Sequence, residues 1–227
     1  MKRRKSLKVG AGLLSGLMFA HGLKGSTLTS PVETESFWDV IKGRRSVRKF
    51  KSDPIPEEHL MKIVDAGRLA PTSGNQQPWK FIVVQSEKQI EKLKTECFSS
   101  LETYYREEAN LEGEKLSEAM EETEKRYSEG YFTAPAFIVI LTDQECKYPS
   151  YTPHDGPLAA GYLLLAARAL GYGSVYITDA IPEEATQKAF NIPDKYKRVC
   201  ITPIGVPVEW PTKEKEAFET FLVRETF

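Results

Sequence analysis

Gly43-Arg44-Arg45-Ser46-Val47-Arg48-Lys49-Phe50 and, one helix later, Ala70-Pro71-Thr72-Ser73-Gly74-Asn75-Gln76-Gln77-Pro78-Trp79 decide how the rest of this chain is read. The first stretch gathers four cations and a hydroxyl within six residues. Guanidinium groups are planar, permanently charged donor forks suited to phosphate oxygens, and Ser46 adds a short neutral donor between them. The second stretch carries little charge but many hydrogen-bonding groups on a loop constrained by Pro and Gly, which suits a polar, uncharged, aromatic ring better than a phosphate. A single ligand with a phosphate at one end and a heteroaromatic ring at the other would use both. Taken alone, the arginine run would read as a solvated basic turn.

Outward from these stretches, helical and strand signals alternate. Phe37-Trp38-Asp39-Val40-Ile41 forms a short helix that delivers the Arg44 cluster. Pro56-Glu57-Glu58 opens a helix over 57–69, with Leu60, Ile63, Val64 and Gly67 on its core side and Pro71 as its stop. Residues 80–84 read as a strand buried on both faces, 136–141 as a second, 174–177 as a third and 199–204 as a fourth. Residues 87–129 form two helices broken near Gly113, and their ten acids and four bases between Glu102 and Glu129 mark a solvated face. Residues 155–170 make an apolar helix whose Ala159, Ala160 and Gly161 allow close approach of a neighbour, and 183–190 a short helix. The expected fold class is α+β, layers of helices around a central mixed sheet. Phe218, Phe221, Leu222 and Val223 in the terminal segment would be unusual if left in water, so the tail is expected to pack, with a partner subunit as a candidate surface.

These motifs, in this order, with Ala134-Pro135 before a strand and Ala169-Leu170-Gly171-Tyr172-Gly173-Ser174 after the apolar helix, resemble the nitroreductase family of FMN oxidoreductases over 37–215. The resemblance implies an intertwined homodimer, with the 155–170 helix at its interface and FMN bound between subunits. It also implies that Arg44, Arg45, Ser46 and Arg48, joined by Lys213 and Lys215 of the tail, hold the FMN phosphate and ribityl chain. Lys215 stands where the family commonly has Arg and offers a point charge in place of a fork. Pro71, Thr72, Ser73, Asn75 and Gln77 match the loop that reaches the flavin from the other subunit. Thr178 and Asp179 match the turn whose backbone amide faces flavin N5, where family members often have an acid followed by Gly. The helices at 87–130 correspond to a variable lid that carries substrate choice, and Tyr104, Tyr105, Tyr127, Tyr131 and Phe132 there read either as a stacking lid or as core anchors. No residue reads as a general acid, nucleophile or metal ligand, since the flavin carries the chemistry. The implied reaction is ping-pong, two-electron reduction of nitroaromatic, quinone or similar small-molecule acceptors, with NAD(P)H the family's usual donor. A reductive halotyrosine dehalogenase or an enzyme that fragments reduced flavin is a specialised alternative within the fold, and a flavin-binding sensor is an alternative outside catalysis.

The totals set bounds. A chain of 227 residues supports one sizeable core, and 41% hydrophobic with 28% charged residues is ordinary for a globular protein. Residues 1–26 hold six basic residues and no acid, which leaves 25 basic against 32 acidic residues beyond them, about −7. That sign argues against nucleic acid or an anionic membrane as partner. The basic start Lys2-Arg3-Arg4-Lys5-Ser6-Leu7-Lys8 and the apolar run 9–20, too short to span a bilayer, read as an export signal that resembles the twin-arginine type; a basic amphipathic N-terminus is the other reading. Residues 27–36 are a linker and 37–227 a single domain. An exported enzyme would meet little NAD(P)H, so the leader points to a periplasmic location with another electron source, such as a membrane quinol or a redox partner. Without it the protein is cytoplasmic. Cys97, Cys146 and Cys200 show neither pairing nor CxxC spacing, and His21, His59 and His154 are scattered, so neither a disulfide framework nor a metal site is expected.

Overall fold

A computed structural model describes residues 36–226; the export signal, and the linker up to 35, lie outside the described residues. The element order is α1 (Phe37–Gly43), α2 (Glu57–Arg68), β1 (Trp79–Val84), α3 (Glu87–Glu107), α4 (Gly113–Ser128), β2 (Ala136–Asp143), α5 (Thr152–Ala169), β3 (Gly173–Ser174), α6 (Glu183–Phe190) and β4 (Tyr196–Gly205). Local chemistry places several of these boundaries. Ser36 caps α1 by accepting from the Asp39 amide. Pro56 and Pro182 precede α2 and α6, each followed by two glutamates that complement the helix N-terminus. Asn191, at φ 51°, turns the chain out of α6 in the left-handed conformation.

The sheet order is β1-β2-β4-β3, and the four named strands pair antiparallel. The expected mixed character is confined, among the described residues, to a parallel bridge between Ser46 and Ser174. The expected third strand is shorter than its sequence signal: Gly173–Ser174 pairs with β4, and the chain rejoins β4 only at the isolated Ile177–Ile201 bridge. β1 pairs with β2 alone and so forms an edge, which leaves Phe81, Ile82 and Val83 half-buried where full burial was expected. β2 lies at the centre and is buried along almost its whole length.

Alternation along β2 divides the core into two layers. Phe137, Val139 and Leu141 join Leu93, Cys97, Leu101, Tyr127, Ile181 and Ala185 on the α3, α4 and α6 side. Ala136, Ile138 and Ile140 join Leu60, Ile63, Ala160, Leu163 and Ala167 on the α2 and α5 side. The period-two pattern of a strand thus produces a three-layer α/β/α stack. One irregularity matters for function. Ile140 pairs with Cys200 but Leu141 pairs with Arg198, a bulge that skips Val199. The extra residue reverses the side-chain alternation, so Arg198 faces the same layer as Ile201 while Val199 stays with the α5 layer.

Candidate functional site

The arginine stretch is laid against the sheet as an extended segment. The Val47 amide donates to the Ser174 carbonyl at 3.0 Å, the Lys51 amide to Val206 O at 2.8 Å and the Phe50 amide to Thr133 Oγ1 at 2.8 Å. Val47 and Phe50 are buried in the core, which turns Arg44, Arg45, Ser46 and Arg48 outward. Gly173 permits this approach, because a Cβ there would lie 2.8 Å from Val47 Cβ and 2.9 Å from Pro207 Cγ. At the other end, the Arg168 guanidinium sits 4.5 Å from the Trp210 ring centre and against Gly43, which fixes the chain just before the cluster.

Arg44, Arg45, Ser46 and Arg48 line a cleft of about 500 Å³ together with Lys213, Lys215 and Phe221 of the tail. Five cations face two carboxylates there, those of Glu214 and Glu216, and none of the five forms an ion pair among the described residues. Arg44 is half-buried; desolvation and then the neighbouring Arg45 charge push its guanidinium below the usual arginine value. Arg45 is oriented by donating to the Lys42 and Arg44 carbonyls, and its Nε has no partner among the described residues. Five cations held against only two carboxylates, one of the cations partly desolvated, suit an anion that supplies several acceptor oxygens.

Arg48 also lines a second cleft of about 460 Å³, with Arg126, Tyr127, Gly130, Tyr131, Asp179 and Ala180. Tyr127, Asp179 and Ala180 in turn line a third, of about 630 Å³, between α3 and the turn before α6. Shared walls therefore set the three clefts in a row, a trough with the arginines at one end and α3 at the other. Arg198, buried behind the turn, holds it in place: its guanidinium donates to the carbonyls of Thr178 at 2.7 Å, Ile181 at 2.8 Å and Pro182 at 3.1 Å. Its burial lowers its pKa below the ordinary arginine value. Thr178 and Asp179 are exposed on this turn, and Asp179 Oδ1 accepts from the Ala180 amide at 2.8 Å. Sequence reading missed Arg198, although a charge inside an otherwise apolar strand was a signal for it.

The 71–77 loop is built differently, and within the chain it lines none of these three clefts. Gly74, Asn75 and Gln77 take left-handed backbone angles, φ 57°, 53° and 49°. The strained turn is pinned by Asp155, 1% exposed, whose carboxylate accepts from the Ser73 amide at 2.9 Å and from Gln76 Nε2 at 2.6 Å. The Gln76 side-chain amide donates to the Tyr148 carbonyl and accepts from the Tyr148 amide, while Thr72 Oγ1 accepts from the Gln77 amide and Asn75 Oδ1 from Gln77 Nε2. Pro71, Thr72, Ser73, Asn75 and Gln77 thus form one exposed or half-exposed surface turn, apart from the arginine cleft. Asp155 and Gln76 were not expected in the site.

A sequence model of the nitroreductase family matches residues 41–206. The chain belongs to the nitroreductase family. It is 31% identical over 170 residues to iodotyrosine deiodinase of Thermotoga neapolitana, covering 75% of this chain and 88% of that protein. A solved structure of oxidized iodotyrosine deiodinase bound to FMN and 3-iodo-L-tyrosine superposes with a TM-score of 0.65 at 30% identity, covering 84% of this chain and 100% of that one. An FMN-dependent nitroreductase of Clostridium difficile gives a TM-score of 0.62 at 26% identity, over 84% and 99% of the two chains.

The aromatics of residues 104–132 in this nitroreductase-family chain divide between the two readings. Tyr127 is buried, Tyr131 and Phe132 pack partly buried against the same core, and Tyr105 bonds Thr123 at 2.8 Å, whereas Tyr104 is 54% exposed. The tail aromatics Phe218 and Phe221 remain exposed on the chain itself. Cys97 and Cys200 are buried and Cys146 half-buried, all as free thiols. No helix among the described residues is long and apolar enough to cross a membrane.

Proposed function

We propose that this nitroreductase-family oxidoreductase binds FMN and reduces small conjugated acceptors such as nitroarenes or quinones by two electrons in a ping-pong cycle. The observation that carries the reading is the convergence of Arg44, Arg45, Ser46 and Arg48 with Lys213 and Lys215, more than 160 residues away, in one basic cleft that continues through Arg48 toward Asp179. The guanidiniums and lysines would hold the phosphate, with the Thr178–Asp179 turn, stiffened by Arg198, beyond it. When bound, FMN supplies the redox chemistry: it stores two electrons from a donor and yields them to an acceptor. The protein's part is to bind, orient and shield. The 71–77 loop, pinned by Asp155 away from its own chain's cleft, would serve the site of a second copy, so the proposal includes a homodimer. The exposed Leu158 and Tyr162 on α5 and the exposed tail aromatics suit that partner.

The donor is NAD(P)H if the protein works in the cytoplasm. If the 1–26 leader exports it, a quinol or redox protein takes that role. The test is a visible spectrum of the purified protein, followed by NADH or NADPH under anaerobic conditions. A flavin band that bleaches, and returns on adding a nitroarene or quinone, is the expected result. A band bleached by dithionite alone assigns the donor elsewhere, and a protein that neither carries nor takes up FMN refutes the reading.

A further inference from the structure

The α3 end of the trough is chemically unlike its basic end. The 630 Å³ cleft is lined by Glu107, Glu108, Asp179 and Glu184, and by no Lys, Arg or His. Glu184 is ion-paired with Lys188, but Glu107, Glu108 and Asp179 form no ion pair among the described residues. Acidic side chains alone would be only a solvated rim. One buried hydroxyl in the same wall says more. Ser100, 9% exposed, has a buried Oγ without a partner among the described residues. Buried hydroxyls are ordinarily paired, so an unpaired one in a cavity wall calls for a polar group supplied by a ligand. Tyr127, 7% exposed as a residue, lines both this cleft and its neighbour. Burial pushes the Tyr127 phenol up to about 12, which keeps it a donor at any working pH. The exposed Tyr104 ring at the rim adds a face for a cation.

We infer that this cleft is the acceptor subsite and that it selects conjugated acceptors bearing a cationic group, such as an ammonium-substituted nitroarene or quinone, over their anionic counterparts. The acceptor's polar oxygen would meet Tyr127 and Ser100, while its cation lies toward Glu107, Glu108 and Asp179. This rests on the flavin reading above, since it supplies the other end of the trough.

The test uses the full-length, flavin-loaded protein and two matched probes, (4-nitrophenyl)trimethylammonium and 4-nitrobenzenesulfonate, titrated calorimetrically without any donor. At low ionic strength the cation should bind at least about tenfold tighter, and the ratio should shrink several-fold in about 0.5 M salt. Glu107→Gln with Glu108→Gln, both at exposed positions, should bring the two affinities within about threefold, chiefly by weakening the cation. Tyr127→Phe should weaken both probes by about fivefold and leave their ratio alone. Equal affinities at low salt, a preference for the sulfonate, or a ratio untouched by the double substitution would overturn the inference. A colourless protein refutes FMN binding instead, and the calorimetric ratio still reports on the cleft.

Discussion

Replacing Arg44 and Arg48 together by alanine removes two of the five cations from the basic cleft while leaving the buried anchors Val47 and Phe50 in place. A hydrogen bond to a charged group contributes about 1.5–3 kcal/mol, so two lost guanidinium contacts correspond to about 3–6 kcal/mol. That is a roughly 10²- to 10⁴-fold weaker Kd for FMN. Folding should be spared. Arg48 is exposed and makes one long bond to Ser46 O at 3.3 Å, and Arg44 carries a burial penalty and the like charge of Arg45, so the variant should stay within about 0.5 kcal/mol of the parent or gain slightly. The assay is quenching of flavin fluorescence on titration with apo-protein, run in parallel with riboflavin, which lacks the phosphate. The parent should strongly prefer FMN, and the double variant should lose most of that preference. Arg44→Lys, which keeps charge but not the planar fork, should fall between them. Parental FMN affinity in the double variant, or an undiminished preference over riboflavin, would refute the phosphate cradle.

Asp155→Ala strips the acceptor from two donors of the 71–77 loop and should lower stability by about 2–3 kcal/mol, read from urea unfolding; a change under about 0.5 kcal/mol would show that the turn holds itself. Deleting 212–227 removes Lys213, Lys215 and Phe221 from the cleft and should weaken FMN binding at least about tenfold, with a shift toward monomer in sedimentation; a dimeric protein of unchanged affinity would show the tail to be dispensable. The thiols of Cys97 and Cys200 are raised by burial from the usual 9.0 to about 12, so at pH 8 a thiol reagent should modify only Cys146 in the native protein. Because the unfolded thiols ionise first, the stabilisation is complete below about pH 9 and is lost as the pH rises toward about 12. An unfolding free energy flat across that interval would contradict the burial.

The layered α+β fold was legible because it rests on local patterns. The 3.6-residue period of α2, the break at Gly113, and Pro182 followed by two glutamates are each set by residues within one or two turns, and the structure places α2 and α6 within a residue of their expected bounds. The sheet was less legible where pairing mattered. The apolar composition of β1 resembles that of β2, yet β1 is an edge and β2 the centre, a distinction made by partners far away in sequence.

The sequence by itself determined the donor chemistry: a run of guanidiniums, a rigid amide-rich turn, and an acidic helical stretch between the first two strands. Those follow from residue types and short spacings, which the chain carries in any conformation. Only the tertiary structure decided which of them meet. Lys213 and Lys215 reach the arginines because the segment after β4, residues 206–208, pairs with 49–51, and the 71–77 loop is kept from that cleft by its bonds to a buried Asp155 on α5. Arg198 stands behind the Thr178 turn only because one extra residue in β4 reverses the alternation of its side chains. Hydrogen-bond register and burial are properties of the packed sheet, and no spacing along the chain encodes a bulge.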